Sequence, residues 1–284
     1  MAATAAVFYA ETVLSLTPIL IKLVPTNLST QTLSRFLIYP LAALLIGGIG
    51  PLRDVFGTSL TKTLAAGSIN AAHVASSYYA FSALPTGIAM SLFYTYPLWN
   101  LIGASLFFGE SFPWHLLPAV AIALAGTFLV VGQARNEKKE IHWDGVAAAL
   151  GAALTETGLF LTVKGAKFPT PLHNIHQFYL GGLPLILLFV FSGIGGTGSG
   201  IDLNWRHWIP LIAFNGLLGF SGYAARFWSI PRLPTIVYTV LSLFGVLASF
   251  LWGALFIGER VAPLAIAGSG ILAAAIGYIR WYTK

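Results

Sequence analysis

The sequence predicts an all-α membrane protein of ten transmembrane helices, built as two inverted five-helix repeats. Three observations lead there. The first is composition: of 284 residues, 57% are hydrophobic and only 8% charged, with a mean hydropathy of +0.80. A soluble domain carries about 25% charged residues. This chain lacks the polar groups to cover a water-facing surface, so its solvent is lipid. The second is length: a helix crosses a bilayer in about 20 residues, and ten such spans with short joints fill the chain. The third is a repeat. A shift of 149 residues carries Leu84-Pro85-Thr86 onto Leu233-Pro234-Thr235, and Phe107-Phe108-Gly109-Glu110 onto Phe256-Ile257-Gly258-Glu259, without a gap. Each copy reads as a turn, an uncharged span and a closing Gly-Glu. So long a period is not that of a solenoid. Duplication of a half-protein is common among membrane transporters.

Hydropathy places the helices at about 3–24, 32–49, 62–83, 86–108, 113–132, 144–166, 173–193, 207–229, 235–257 and 262–282. Pro51, Pro85, Pro113, Pro169, Pro171, Pro231 and Pro234 punctuate the joints. The repeats are 1–136 and 137–284, joined by the charged stretch Gln133 to Asp144, and both belong to one membrane domain. Five helices per half invert the second half relative to the first, so one site can face either side of the membrane in turn. Ten spans return the chain to its starting side, and both termini are expected in the cytoplasm. Charge supports that orientation only narrowly. One side receives Arg53, Lys62, Lys167, Arg232, Arg280 and Lys284, and the other receives Arg135, Lys138, Lys139, Arg206 and Arg260. The net charge of +6 therefore reads as topology and lipid-headgroup contact, not nucleic-acid binding. There is no cysteine, which excludes disulfides and thiolate metal sites. The N-terminus has no basic segment followed by a cleavage site and reads as a first span.

The fourth and ninth helices have no ionisable acid or base within the span. Gly87, Ala89, Ser91, Gly103, Ala104 and Ser105 recur in one, and Gly245, Ala248, Ser249 and Gly253 in the other. Small residues let helices approach closely in lipid. Pro97 falls mid-span and should kink the fourth helix or free a carbonyl there.

The polar residues that do enter spans are the candidate site. A charge in a bilayer costs about 2.5–3.5 kcal/mol on insertion scales. Residues bearing that cost line a cavity or pair with each other. Asn70, His73 and Ser77 share one face of the third helix, and the shift of 149 maps them onto Gly219, Gly222 and Arg226. This face reads as a cavity wall with Arg226 as an anion anchor; the alternative is an arginine that snorkels to the interface. His73 serves equally as a substrate contact or an interhelical hydrogen bond. Glu11 and Glu156 fall near mid-span on the first and sixth helices, where neither can snorkel. They are candidates for binding a cation, for carrying a coupling proton, or for holding Arg226 in a structural pair. Lys22 and Lys164 read as interfacial.

Tyr238, Ser242, Gly245, Ser249 and Trp252 share a face of the ninth helix, and Tyr96, Asn100 and Gly103 a face of the fourth. Tyr96, Asn100, Tyr238 and Ser249 are candidates for a pocket lining, with Tyr78, Tyr79, Trp99 and Trp228 adding aromatic surface that can hold a flat substrate or a cation. Aromatics at span ends otherwise form the interfacial belt. Glu110 and Glu259 each precede a helix, where negative charge is favourable. His173 and His176 have metal-ligand spacing but no carboxylate near them in sequence, so no metal or other cofactor is expected. No nucleophile elbow, phosphate loop or zinc-protease motif is present, which argues against an enzyme.

With these features the chain resembles the EamA-type branch of the drug/metabolite transporter superfamily. The resemblance spans nearly the whole chain: the helix count, the two halves and the Gly-Glu closing each. Lys22 with Arg35-Phe36 and Pro40 is similar to the family's junction between first and second helices. Lys164 with Gln177-Phe178 is the weaker second copy, since glutamine replaces the arginine. The resemblance implies carriage of a small metabolite. Sugar-phosphate translocators of that superfamily carry bases in central helices of both halves. The fourth and ninth helices here carry none, which counts against a phosphorylated substrate.

The expected function is secondary transport of a small polar or zwitterionic metabolite, an amino-acid-like solute above all, by alternating access through a midplane cavity. Arg226 and Glu156 would offer a partner for each of its charges. The expected partners are that solute, the lipid bilayer and protons as coupling ion, with the chain acting as a monomer or dimer. The alternatives are an organic-cation, nucleobase or nucleotide-conjugate carrier, and a non-transporting membrane scaffold. A scaffold would have no need of polar stripes on equivalent internal faces.

Overall fold

The computed structural model describes residues 1–111, 142–166, 170–192 and 200–258, with isolated positions between 114 and 125 and between 263 and 278. All regular structure among the described residues is helical. The helices expected at 113–132 and 262–282, Glu259, and the boundary between the halves at 136 lie outside those residues.

The first span is α1 (Ala2–Leu14) and α2 (Thr17–Leu23). It breaks because Pro18 lies in the first turn of α2 and has no N–H to give the preceding turn. The freed backbone is satisfied locally: Leu16 N–H donates to the Val13 carbonyl, and the Ser15 hydroxyl and the Trp252 indole N–H both donate to the Thr12 carbonyl. α3 (Leu28–Gly47) starts at Asn27, whose side chain accepts from Thr30 N–H. At Gly48 the chain turns through 118° into α4 (Ile49–Phe56), a segment expected to be loop. Its exposed apolar side and its steep angle fit a helix lying along the membrane surface.

α5 (Leu60–Ala83) is followed by a second broken span, α6 (Thr86–Phe93) and α7 (Tyr96–Phe108). Pro97 sits in the first turn of α7, so the interruption expected from it falls at Tyr94-Thr95. The chain continues through α8 (Trp143–Gly165), α9 (Pro171–Ser192), α10 (Trp205–Ala213), a π turn (Phe214–Gly219) and α11 (Phe220–Ser229). The helix expected at 207–229 is therefore not one regular helix. The π turn widens it where buried Asn215 donates to Ser34 Oγ at 3.1 Å. α12 (Thr235–Ser242) and α13 (Phe244–Trp252) form a third broken span, which ends in a π turn (Gly253–Ile257).

Two features recur at the offset of 149. The break at Tyr94 has its counterpart at Leu243, although the second copy has no proline there. The terminal glycines Gly109 and Gly258 both take left-handed backbone, φ +64° and +69°. That conformation ends a helix at low cost only in glycine, which explains the repeated Gly-Glu.

Helices far apart in sequence interlock. α5 packs between α8 and α9, and α1 packs on α11 and α13. Glycine makes the closest crossing possible: Gly67 on α5 meets the backbone of Gly181 and Gly182 on α9, with no room for a Cβ on any of the three. Leu41, Leu45, Phe107, Leu188, Phe191, Leu217 and Leu255 are exposed, while Glu11, Arg35, Asn70, Glu156 and Arg226 are buried. An apolar exterior around a charged interior is the arrangement of a protein dissolved in lipid. Among the described residues, five helices are long and apolar enough to cross a membrane, and the bent pair α3–α4 passes the same test as a unit.

Candidate functional site

The buried charges meet at one place. Arg226 on α11 donates through Nη1 to Glu156 Oε1 at 2.5 Å and through Nη2 to Glu11 Oε1 at 2.7 Å. Glu156 comes from α8 and Glu11 from the last turn of α1, so two helices far apart in sequence each supply a carboxylate. All three side chains are at most 4% exposed. The Tyr94 hydroxyl, at the break between α6 and α7, donates to Glu11 Oε2 at 2.6 Å. A Cβ at position 245 would collide with the Tyr94 hydroxyl and approach Glu11 Oε2 to 2.8 Å. Gly245, at the equivalent break, thus makes room for this bond.

His73 adjoins the triad. Its Nδ1 lies 3.2 Å from the Ala152 carbonyl, which can only accept, so Nδ1 carries a proton. Nε2 lies 3.3 Å from both Glu156 Oε2 and the Tyr223 hydroxyl. Neutral His73 accepts there from Tyr223 and leaves Glu156 Oε2 without a donor, the state in which that oxygen is unpartnered. A second proton on the ring would instead be donated to Glu156.

A small cavity of about 30 Å³ opens beside these groups. Arg35, His73, Ser77, Tyr94, Tyr223 and Arg226 line it. It is too small to hold an amino acid.

Of the residues singled out from sequence, Glu11, Glu156, Arg226 and His73 come together, and Ser77 lines the adjoining cavity. Arg226 does not snorkel. Gly219 and Gly222, on its face, admit the Tyr39 hydroxyl and the side chains of Val13 and Leu14. Asn70 donates to the Phe178 carbonyl at 3.4 Å and ties α5 to α9. Tyr96 lies with its ring 5.9 Å from the Arg226 guanidinium. Tyr238 stacks on Phe160 at 5.2 Å, and Ser249 donates to the Val246 carbonyl. Asn100 is fully buried with neither amide atom partnered. Of the additional aromatics, Tyr78 is buried near Arg35, whereas Tyr79 bonds Asp144 at the surface and Trp228 lies under Arg232. No three metal-ligating side chains cluster among the described residues. Lys164 pairs with Glu110 at 2.9 Å, and Lys22 donates to Thr86 Oγ1 at 2.7 Å.

Sequence reasoning missed Arg35 and Tyr223 as parts of this site. A periodic signal was present. Arg35 and Tyr39 are one turn apart on α3, and Tyr223 is three residues before Arg226 on α11.

The exposed apolar belt, the buried charge cluster and the five span-length helices define an integral membrane protein. Its relatives narrow the class. Over 206 residues the chain is 29% identical to the threonine/homoserine exporter RhtA of Escherichia coli (strain K12), covering 70% of this chain and 64% of that protein. The Salmonella typhimurium (strain LT2) exporter of the same name is 30% identical over the same span. An uncharacterized transporter of Synechocystis sp. is 20% identical over 204 residues, covering 72% of this chain and 61% of that protein. The alignments thus span just under two thirds of these relatives. No family model matches the chain. One protein of known crystal structure superposes with a TM-score of 0.72 over 96% of this chain and 95% of its own, at 17% identity. That likeness shows a shared fold.

Proposed function

We propose that the chain is an EamA-type member of the drug/metabolite transporter superfamily, a secondary transporter of a small zwitterionic, amino-acid-like metabolite. The observation that carries this reading is the Glu11–Arg226–Glu156 triad. Its members come from both halves, are buried in the membrane interior, and stand beside a polar cavity. Charges that costly persist inside a bilayer where they bind a solute or an ion. The likeness to threonine/homoserine exporters supports an amino-acid-like cargo.

Alternating access between two inverted halves, 1–136 and 137–284, is the mechanism that best fits. The breaks at Tyr94 and Leu243 and the caps at Gly109 and Gly258 support an internal repeat. Lys22 is tied to Thr86 beside the start of α8, where Gly145 packs on Leu84. Lys164 is tied to Glu110 at the other end of α8, roughly 30 Å away at 1.5 Å per residue. Two such ties, at opposite ends, suit gates that open in turn. An organic-cation carrier is less well supported, because Arg226 already engages both carboxylates.

Purified protein in proteoliposomes should exchange internal unlabelled L-threonine or L-homoserine for external labelled L-threonine. Tags at the two termini should report the same compartment. An absence of exchange with either solute would defeat the amino-acid reading. Tags on opposite sides would defeat the ten-helix, inverted-repeat reading.

A further inference from the structure

Two guanidinium groups face the cavity, and their surroundings differ. Arg226 is ion-paired with two carboxylates through Nη1 and Nη2, although its Nε is also buried without a partner. Arg35 is 3% exposed, and among the described residues no carboxylate lies within ion-pair distance of it. Its neighbours are tyrosines. Nε donates to the Tyr179 hydroxyl at 2.9 Å. The guanidinium carbon lies 4.5 Å from the ring centre of Tyr223, 5.1 Å from Tyr39, 5.7 Å from Tyr179 and 5.8 Å from Tyr78. Nη2 is buried with no hydrogen-bond partner, and the residue lines the cavity.

Aromatic faces attract a cation, but they do not satisfy a buried N–H, and an unpaired donor in a water-poor interior is costly. Arg35 therefore holds a donor in reserve. With both glutamates ionised, the triad carries one net negative charge and Arg35 one positive. The Tyr223 ring lies between them, 5.4 Å from the Arg226 guanidinium carbon and 4.5 Å from that of Arg35. Within the negative group, Glu156 Oε2 is unpartnered as well, just behind the cavity wall formed by His73 and Arg226. Arg35 thus offers a positive group with a free donor, and the triad a negative group with a free acceptor. That is the complement of a zwitterion with a defined direction.

We propose that Arg35, not Arg226, receives the carboxylate of the transported solute, and that the solute's ammonium group points toward Glu156. Arg226 then acts as the positioning residue that holds the two glutamates apart. The guanidinium fork takes a carboxylate in two parallel hydrogen bonds. The tyrosines keep it in place when the solute has left. This rests on the transporter reading above and deepens it by giving the solute its orientation.

The test is counterflow of labelled L-threonine in proteoliposomes, with L-threonine or L-threoninamide as the competing solute. The amide keeps size and ammonium group but has no carboxylate. In the wild-type protein the amide should compete at least tenfold more weakly. Arg35→Gln should abolish counterflow. Arg35→Lys, which keeps the charge without the fork, should stay monodisperse and shrink the acid-to-amide preference at least threefold. An amide that competes as well as the acid in the wild type would overturn the proposal, as would an unchanged preference in folded Arg35→Lys. Neither result would touch the transporter reading, because counterflow would persist. No wild-type counterflow at all would overturn both.

Discussion

Arg226 and Glu11 are 215 residues apart in sequence and joined by a 2.7 Å hydrogen bond in the membrane interior. The bond ties α11 to α1. The same guanidinium reaches Glu156 on α8 through its other nitrogen. One side chain thus connects three helices.

The triad makes Arg226 a structural keystone. Removing one partner of a buried ion pair leaves an uncompensated charge and costs roughly 3–5 kcal/mol. Arg226→Ala strands two carboxylates. It should lower the thermal midpoint of the detergent-solubilised protein sharply and reduce its yield. Arg226→Lys keeps the charge but reaches both glutamates less well and should fall between. A thermal midpoint unchanged by Arg226→Ala would mean the triad contributes nothing to stability.

The two glutamates share that cation, and Glu156 stands beside His73, so a proton arriving at the site has defined stations. Glu156→Gln keeps shape but removes the charge, and the Arg226 hydrogen bond to it weakens. Proteoliposomes containing Glu156→Gln should lose accumulation driven by a pH gradient while keeping downhill exchange. Glu11→Gln should have a smaller effect, because the Tyr94 hydroxyl can still donate to the retained amide oxygen. Full gradient-driven accumulation by the double variant would remove both carboxylates from proton coupling.

The crossing of α5 and α9 depends on having no side chain at Gly67. A Cβ there would overlap the Gly181–Gly182 backbone, which cannot swing aside as a side chain can. Overpacking a well-packed interior costs about 1–3 kcal/mol, and a backbone collision lies at the upper end. Gly67→Ala should lower the thermal midpoint, and Gly67→Leu should prevent recovery of monodisperse protein. In comparison, Gly50 has open space around it, so Gly50→Ala should leave the midpoint within a degree or two. Equal behaviour of the Gly67 and Gly50 variants would show that the crossing tolerates separation.

The sequence alone determined the solvent, the helical class and most of the span positions. Those depend on composition and on local periodicity, which a chain displays wherever it folds. The break near Pro97 and the glycines that close two helices were legible for the same reason, since each follows from the backbone chemistry of one residue. The break at Pro18, in a helix expected to be continuous over 3–24, was not. Glu11, Glu156, Arg226 and His73 were legible as costly groups without partners in the linear chain. What tertiary structure alone decided was who meets whom. No spacing announces that Arg226 binds Glu11 and Glu156 together, because that pairing is set by how α1, α8 and α11 cross. The spacing of Arg35 and Tyr39 puts one tyrosine beside that arginine, but only packing gathers Tyr78, Tyr179 and Tyr223 around it from α5, α9 and α11. The break at Leu243 was equally silent, because no proline marks it. Local chemistry is written residue by residue, whereas the pairing of buried charges in lipid is settled only when the helices pack and bring particular side chains within reach.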